Sequence, residues 1–132
     1  LQEGKISRVG GEKEIKVGVR VLAATNKDLR LEIKEGRFRE DLYHRLSVII
    51  VHMPSLNERT DDIPLLVDYF LDLICKEYSI PKKQVKGDAM KVLQMHNWTG
   101  NVRELRNVVE RLIILSEDVI TKEDVENYIN YN

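Results

Sequence analysis

Near Pro54 the hydrophobic period of the chain changes, and that change limits the folds open to it. Before it lie two apolar runs. KVGVRVLAATN places Val17, Val19 and Val21 on one face and ends in VLAA, apolar on both faces, as a strand covered by helices on both sides requires. SVIIVHMP is the second run and stops at Pro54. Between them, GRFREDLYHRL spaces Phe38, Leu42 and Leu46 four apart, one stripe of a helix. Strand, helix, strand predicts a βαβ crossover in a parallel sheet. Two strands make a poor sheet, so further strands are expected upstream of Leu1. The opening LQEGKISRVGG reads as the middle of a helix tail, with a turn at Gly10-Gly11. The chain is therefore expected to be a piece of something longer.

After Pro54 the spacing is helical. Asp61 and Asp62 are placed to cap a helix from about Ile63, with Pro64 in its first turn and LLVDYFLDLICKEY continuing it. SIPKKQVKG is a polar linker, and a shorter helix is expected from Asp88 in DAMKVLQMH. Asn97-Trp98-Thr99-Gly100 breaks the pattern. Asn101 with Glu104 three residues on resembles a capping box, and Val102, Leu105, Val109 and Leu112 share the buried face of the helix that follows. Thr121 and Asp124 repeat that signal for a last helix through Tyr128. The expected class is α/β plus α: residues 1–56 as an α/β portion and 57–132 as a bundle of about four helices.

With 132 residues, 42% hydrophobic, 33% charged and a formal charge of -1, the chain reads as one soluble piece with both signs interspersed. Net charge gives no pointer to nucleic acid. The lone Cys75 sits among apolar residues, which excludes a disulfide framework and fits a reducing, cytoplasmic setting. No apolar run is long enough to span a bilayer, so no membrane partner is expected. His44, His52 and His96 have no metal-ligand spacing with Cys75 or the acids, so no metal ligands are assigned. GxxxxGK[ST], the loop whose amides cradle phosphates, is absent from these residues.

Five polar residues stand at telling places. Thr25 and Asn26 end the first strand candidate, where ligands sit in open α/β sheets, and Asn26 could orient a water; spacing alone favours a cap or turn. Arg39 and Arg45 lie six apart and leave the helix in different directions. A guanidinium can reach across a subunit boundary to a transferring phosphoryl group, or pair locally, since Arg37–Asp41 and Asp41–Arg45 are both four apart. Arg103 lies in the first turn of its helix, where free amides and the helix dipole favour an anion; arginine at an exposed helix start is also commonplace. Arg106 and Glu110 form an ordinary i,i+4 pair.

Five strings in order, LQEGKISRVGG, VRVLAATNKDL, GRFREDLYHRL, LNERTDDIPLL and NWTGNVRELRNVVER, resemble the later part of the AAA+ ATPase domain of NtrC-like activators of sigma-54 RNA polymerase. The resemblance covers nearly the whole chain. It implies the C-terminal portion of a P-loop-type α/β core over 1–56, followed by a helical lid over 57–132. It further implies ATP with Mg²⁺ in the intact parent, bound between core and lid and between subunits of a ring, usually a hexamer. By motif, Asn26 falls in sensor I, Arg39 and Arg45 in the arginine-finger segment, and Arg103 in sensor II, as a cofactor-binding residue. The phosphate loop, the acidic metal-binding motif and the loop that engages the sigma factor would lie upstream, and a DNA-binding helix-turn-helix beyond Asn132. This piece alone is therefore expected to bind nucleotide weakly and to turn none over. Two departures stand out: Thr99 replaces the usual proline of WPGN, and Asn57 the usual arginine of LRER. The alternatives are a lid of another AAA+ protein without sigma-factor contact, or a helical nucleic-acid module in which Arg103, Arg106 and Arg111 track phosphates.

Overall fold

The computed structural model describes residues 5–7, 9–10 and 14–130, which fall into two compact units, 1–52 and 53–132. In the first, β1 (Lys5–Ser7) pairs antiparallel with β2 (Glu14–Lys16) in the register Lys5↔Lys16, Ile6↔Ile15 and Ser7↔Glu14. Gly10, with φ +79, supplies the left-handed backbone in the intervening turn. The helix tail expected at the start meets β1 instead, and residues 1–4 lie outside those described. Then follow α1 (Leu29–Lys34) and α2 (Glu40–Leu46). Asp28 caps α1, its Oδ1 accepting from the amides of Arg30 at 2.9 Å and Leu31 at 3.2 Å.

Neither expected strand of the crossover joins a ladder with a described residue. Residues 17–25 and 48–53 are without strand structure, and Val48, Ile49, Ile50 and Val51 are 68% to 82% exposed. The reason is physical: a strand is stable only when a neighbour takes its amides and carbonyls, and no described segment lies alongside to do so. The expected helix is also shorter, because the chain from Gly36 to Arg39 is a turn, with Gly36 at φ +71 and the Phe38 amide donating to the Glu32 carbonyl.

The second unit is helical. Two 3-10 turns, Leu56–Glu58 and Thr60–Asp62, lead into α3 (Ile63–Glu77). The Asp62 side chain makes no capping bond; it faces Arg59 at 3.7 Å, and the 3-10 turn itself feeds the helix, with Pro64 in its first turn. Helix α3 closes in a Schellman motif, the Ile80 amide donating to the Cys75 carbonyl and the Ser79 amide to that of Lys76. Ser79 takes φ 55 to make it. Then come α4 (Gly87–Met95), α5 (Asn101–Leu115) and α6 (Lys122–Tyr128). The linker and the α5–α6 connection form a two-residue parallel pair, β3 (Gln84–Val85) with β4 (Val119–Ile120).

One core holds this unit together. Ile63, Val67 and Ile74 of α3, Leu93 of α4, Leu105, Val109 and Leu112 of α5, and Val125 of α6 are fully or almost fully buried. Trp98, 0% exposed, fills the space after α4 and donates its indole N–H to the Leu93 carbonyl at 2.9 Å. Cys75 is buried as a small hydrophobe. No helix among the described residues is long and apolar enough to cross a membrane.

Candidate functional site

In the first unit, Thr25 Oγ1 accepts from the Lys27 amide at 3.1 Å, and this local turn presents Asn26 to solvent just before the cap of α1. Arg39 and Arg45 stand at the two ends of α2, and their surroundings differ. Arg39 forks onto Asp41, Nε to Oδ1 at 2.9 Å and Nη2 to Oδ2 at 2.8 Å. This bidentate bond raises the guanidinium's pKa and lowers that of the Asp41 carboxyl. Arg45 is exposed in the last turn and forms no ion pair with a described residue; its charge reaches Asp41 only through space. Arg37 pairs neither with solvent alone nor with Asp41. It binds Glu32 through two bonds of 2.9 Å and also meets Glu35. The Arg37 guanidinium holds the Glu32 carboxyl at a pKa of about 2.

In the second unit Arg103 sits in the first turn of α5, exposed and without an ion pair to a described residue. It lines an open cavity of about 320 Å³ with Gly100, Glu104, Asn107, Val108, Arg111 and Ile129. Arg103, Asn107 and Arg111 recur at i, i+4 and i+8, which puts all three on one face. Arg111 also donates to the Tyr128 carbonyl at 2.8 Å. Asn107 is the residue of this face that the sequence reading misses, and the i, i+4, i+8 spacing was the signal that could have found it; Arg111 entered there only through the nucleic-acid alternative. Gly100 caps α5, and a Cβ there would stand 2.8 Å from Glu104 Cβ, so only glycine fits. Glu104 Oε2 accepts the Gly100 amide at 2.7 Å.

The expected capping role of Asn101 is corrected. It is already inside the helix, at φ 54, and its Oδ1 accepts the Leu56 amide at 2.7 Å, 45 residues away. Glu104 does the local capping alone. Arg106 pairs with Glu110 at 3.1 Å as expected.

Among the described residues, no group of three or more His, Cys, Asp or Glu is placed to hold a metal. The described side chains therefore offer no cluster fitted to Mg²⁺. The exposed guanidiniums of Arg45 and Arg103 fit anion contact.

Residues 57–132 match the AAA+ ATPase lid domain family and residues 1–52 the Sigma-54 interaction domain. The nitrogen assimilation regulatory protein NtrX of Azorhizobium caulinodans is 53% identical over 116 residues, 88% of this chain and 26% of that protein. The DNA-binding transcriptional regulator NtrC of Azospirillum brasilense is 49% identical over 127 residues, 96% of this chain and 26% of that protein. The chain thus spans about a quarter of the length of these curated relatives. NtrX from Brucella abortus, solved in complex with ATP, superposes with a TM-score of 0.85 at 44% identity, over 97% of this chain and 31% of that one. These matches show the α/β-plus-α class, a C-terminal portion of an AAA+ core followed by a helical lid. The chain belongs to the AAA+ ATPase lid domain family, and before its lid it carries part of a Sigma-54 interaction domain of the kind found in NtrC- and NtrX-type regulators.

Proposed function

We propose that this chain is the nucleotide-sensing and lid portion of a sigma-54-dependent activator that hydrolyses ATP in a homo-oligomeric ring, hexameric by family resemblance, to remodel sigma-54 RNA polymerase at promoters. Residues 1–56 are the end of the α/β core and 57–132 the lid. Asn26 orients the attacking water and reads the γ-phosphate. Arg39 and Arg45 reach the nucleotide of a neighbouring subunit, where a fixed positive charge offsets charge developing on the transferring phosphoryl group. Arg103 contacts the phosphates of its own subunit from the lid. The sigma factor is engaged through residues upstream of this chain, and DNA through a separate C-terminal domain. Mg²⁺, which in such sites neutralises phosphate charge, takes its ligands from outside the described residues.

The observation that carries this reading is the exposed Arg45, a permanent cation at a helix end with no ion-pair partner among the described residues. Asn26 exposed in its turn and Arg103 beside an open cavity support it in the same way. The nucleic-acid alternative is disfavoured, because Arg106 is engaged by Glu110 and Glu77 and Arg111 by the Tyr128 carbonyl, leaving no basic stripe on α5.

The test is ATP turnover against protein concentration for the full-length protein carrying this chain, compared with Arg39→Ala and Arg45→Ala. Turnover is expected to fall by about 10³-fold or more in either variant while nucleotide binding and assembly persist. Normal turnover in both would make these arginines local partners and end the reading.

A further inference from the structure

Asn57 sits on the surface between two anchored groups. Leu56 beside it is 0% exposed, and so is Trp98, 41 positions away. Asn57 bonds across that separation twice: its Oδ1 accepts the Trp98 amide and its Nδ2 donates to Asn97 Oδ1, both at 2.8 Å. One residue before Asn57, the Leu56 amide donates to Asn101 Oδ1 at 2.7 Å. Three side-chain bonds therefore clip the segment that opens the lid to the turn that opens α5. The turn has two backbone bonds of its own, Thr99 amide to Asn97 carbonyl at 3.1 Å and Asn101 amide to Trp98 carbonyl at 3.2 Å. Thr99 nevertheless leaves its φ free where a proline would fix it, and the three side-chain bonds add the missing constraint. Asn101 is held at φ 54, a conformation an asparagine adopts only at some cost and which its bond to Leu56 offsets. Arg103 follows two residues later.

We propose that Asn57 is a positioning residue for Arg103. With Asn101, it fixes where α5 begins and so where the Arg103 guanidinium is presented to phosphate. The proposal rests on the reading of Arg103 as a phosphate contact. Asn57 touches no nucleotide itself; it acts through the Trp98–Asn101 turn.

The experiment uses the full-length protein, with ADP as the probe, well below its unfolding temperature. Asn57→Leu, Asn57→Asp, Arg103→Ala and Asn57→Leu/Arg103→Ala are compared for ADP affinity and for amide exchange over residues 97–104. Arg103→Ala is expected to lose roughly tenfold in affinity, the scale of one charge-assisted hydrogen bond. Asn57→Leu is expected to speed exchange at 97–104 and lose several-fold in affinity, and the double variant to lose no more than Arg103→Ala alone. Asn57→Asp keeps the acceptor for the Trp98 amide, and the Asn97 amide can turn to donate to it, so most of both properties should return. A residue that only stabilised the lid would lower the unfolding temperature and leave ADP affinity intact. If Asn57→Leu binds normally while Arg103→Ala does not, or if exchange at 97–104 is unchanged, or if the losses in the double variant add, the positioning role is wrong and the Arg103 assignment survives. Normal binding by Arg103→Ala would instead sink that assignment, and the proposal with it.

Discussion

Arg39 and Arg45 differ in what each must give up to act at a distance. Arg39 would have to leave a bidentate carboxylate, whereas Arg45 has no such bond to break. Sequence spacing could not separate them, because Asp41 lies within reach of both along the helix and only the rotamers decide which one it holds. At Ser79 the reasoning concerns stability. Its φ of 55 places a Cβ in the left-handed region, which costs on the order of 1 kcal/mol, and glycine removes that cost. Ser79→Gly is therefore expected to stabilise the lid by up to about 1 kcal/mol, less what the unfolded chain gains in freedom. Urea denaturation followed by the fluorescence of Trp98, the chain's single tryptophan, checks it; a loss of stability would mean that the serine side chain contributes more than its backbone costs.

At the scale of elements, two carboxylates hold α1 in place. Asp28 caps its start, and Glu32 ties it to Arg37 in the following turn. Glu32 has a folded pKa of about 2 against an ordinary 4.5, so its contribution is present above pH 4.5 and is lost as pH falls towards 2. The Glu32 side chain is largely covered, but Arg37 is half-exposed, so solvent screens the pair's contribution. The helical signal of α1 in circular dichroism should therefore decline between pH 4.5 and 2, and Arg37→Gln should move that decline to higher pH. An unchanged acid transition in Arg37→Gln would show that Glu32 is held by something else. Helices α3, α5 and α6 were legible in advance because their signals are local: apolar spacing, Pro64 in a first turn, and the Thr121–Asp124 box, whose Thr121 amide donates to Asp124 Oδ2 at 2.8 Å. The β3–β4 pair was not legible. Two residues on each side carry no period, and the partners Val85 and Ile120 are 35 positions apart.

For the molecule as a whole, stability in residues 53–132 comes from one core in which α5 packs against both α3 and α6. Leu105, 0% exposed, is at its centre. Leu105→Ala is expected to cost about 2–5 kcal/mol of the unfolding free energy of this unit, measured by urea with Trp98 as the probe. A cost under about 1 kcal/mol would mean that the site collapses around the smaller side chain. The exposed run Val48–Val51 is the opposite case, apolar residues whose sequence demands cover that no described residue provides.

Sequence alone determined the helices of the lid, the place of Cys75 among apolar residues, and the family motifs that contain Asn26, Arg39, Arg45 and Arg103. These follow from periodicity and turn chemistry, which act over a few residues. Only the tertiary structure decided that Asp41 engages Arg39 and leaves Arg45 exposed, that Arg37 belongs to Glu32, and that Asn57 and Asn101 reach 40 residues or more to clip the start of α5. Each of these is a choice among donors and acceptors of equal chemistry. Three-dimensional proximity selects the partner, and a linear pattern contains no record of it.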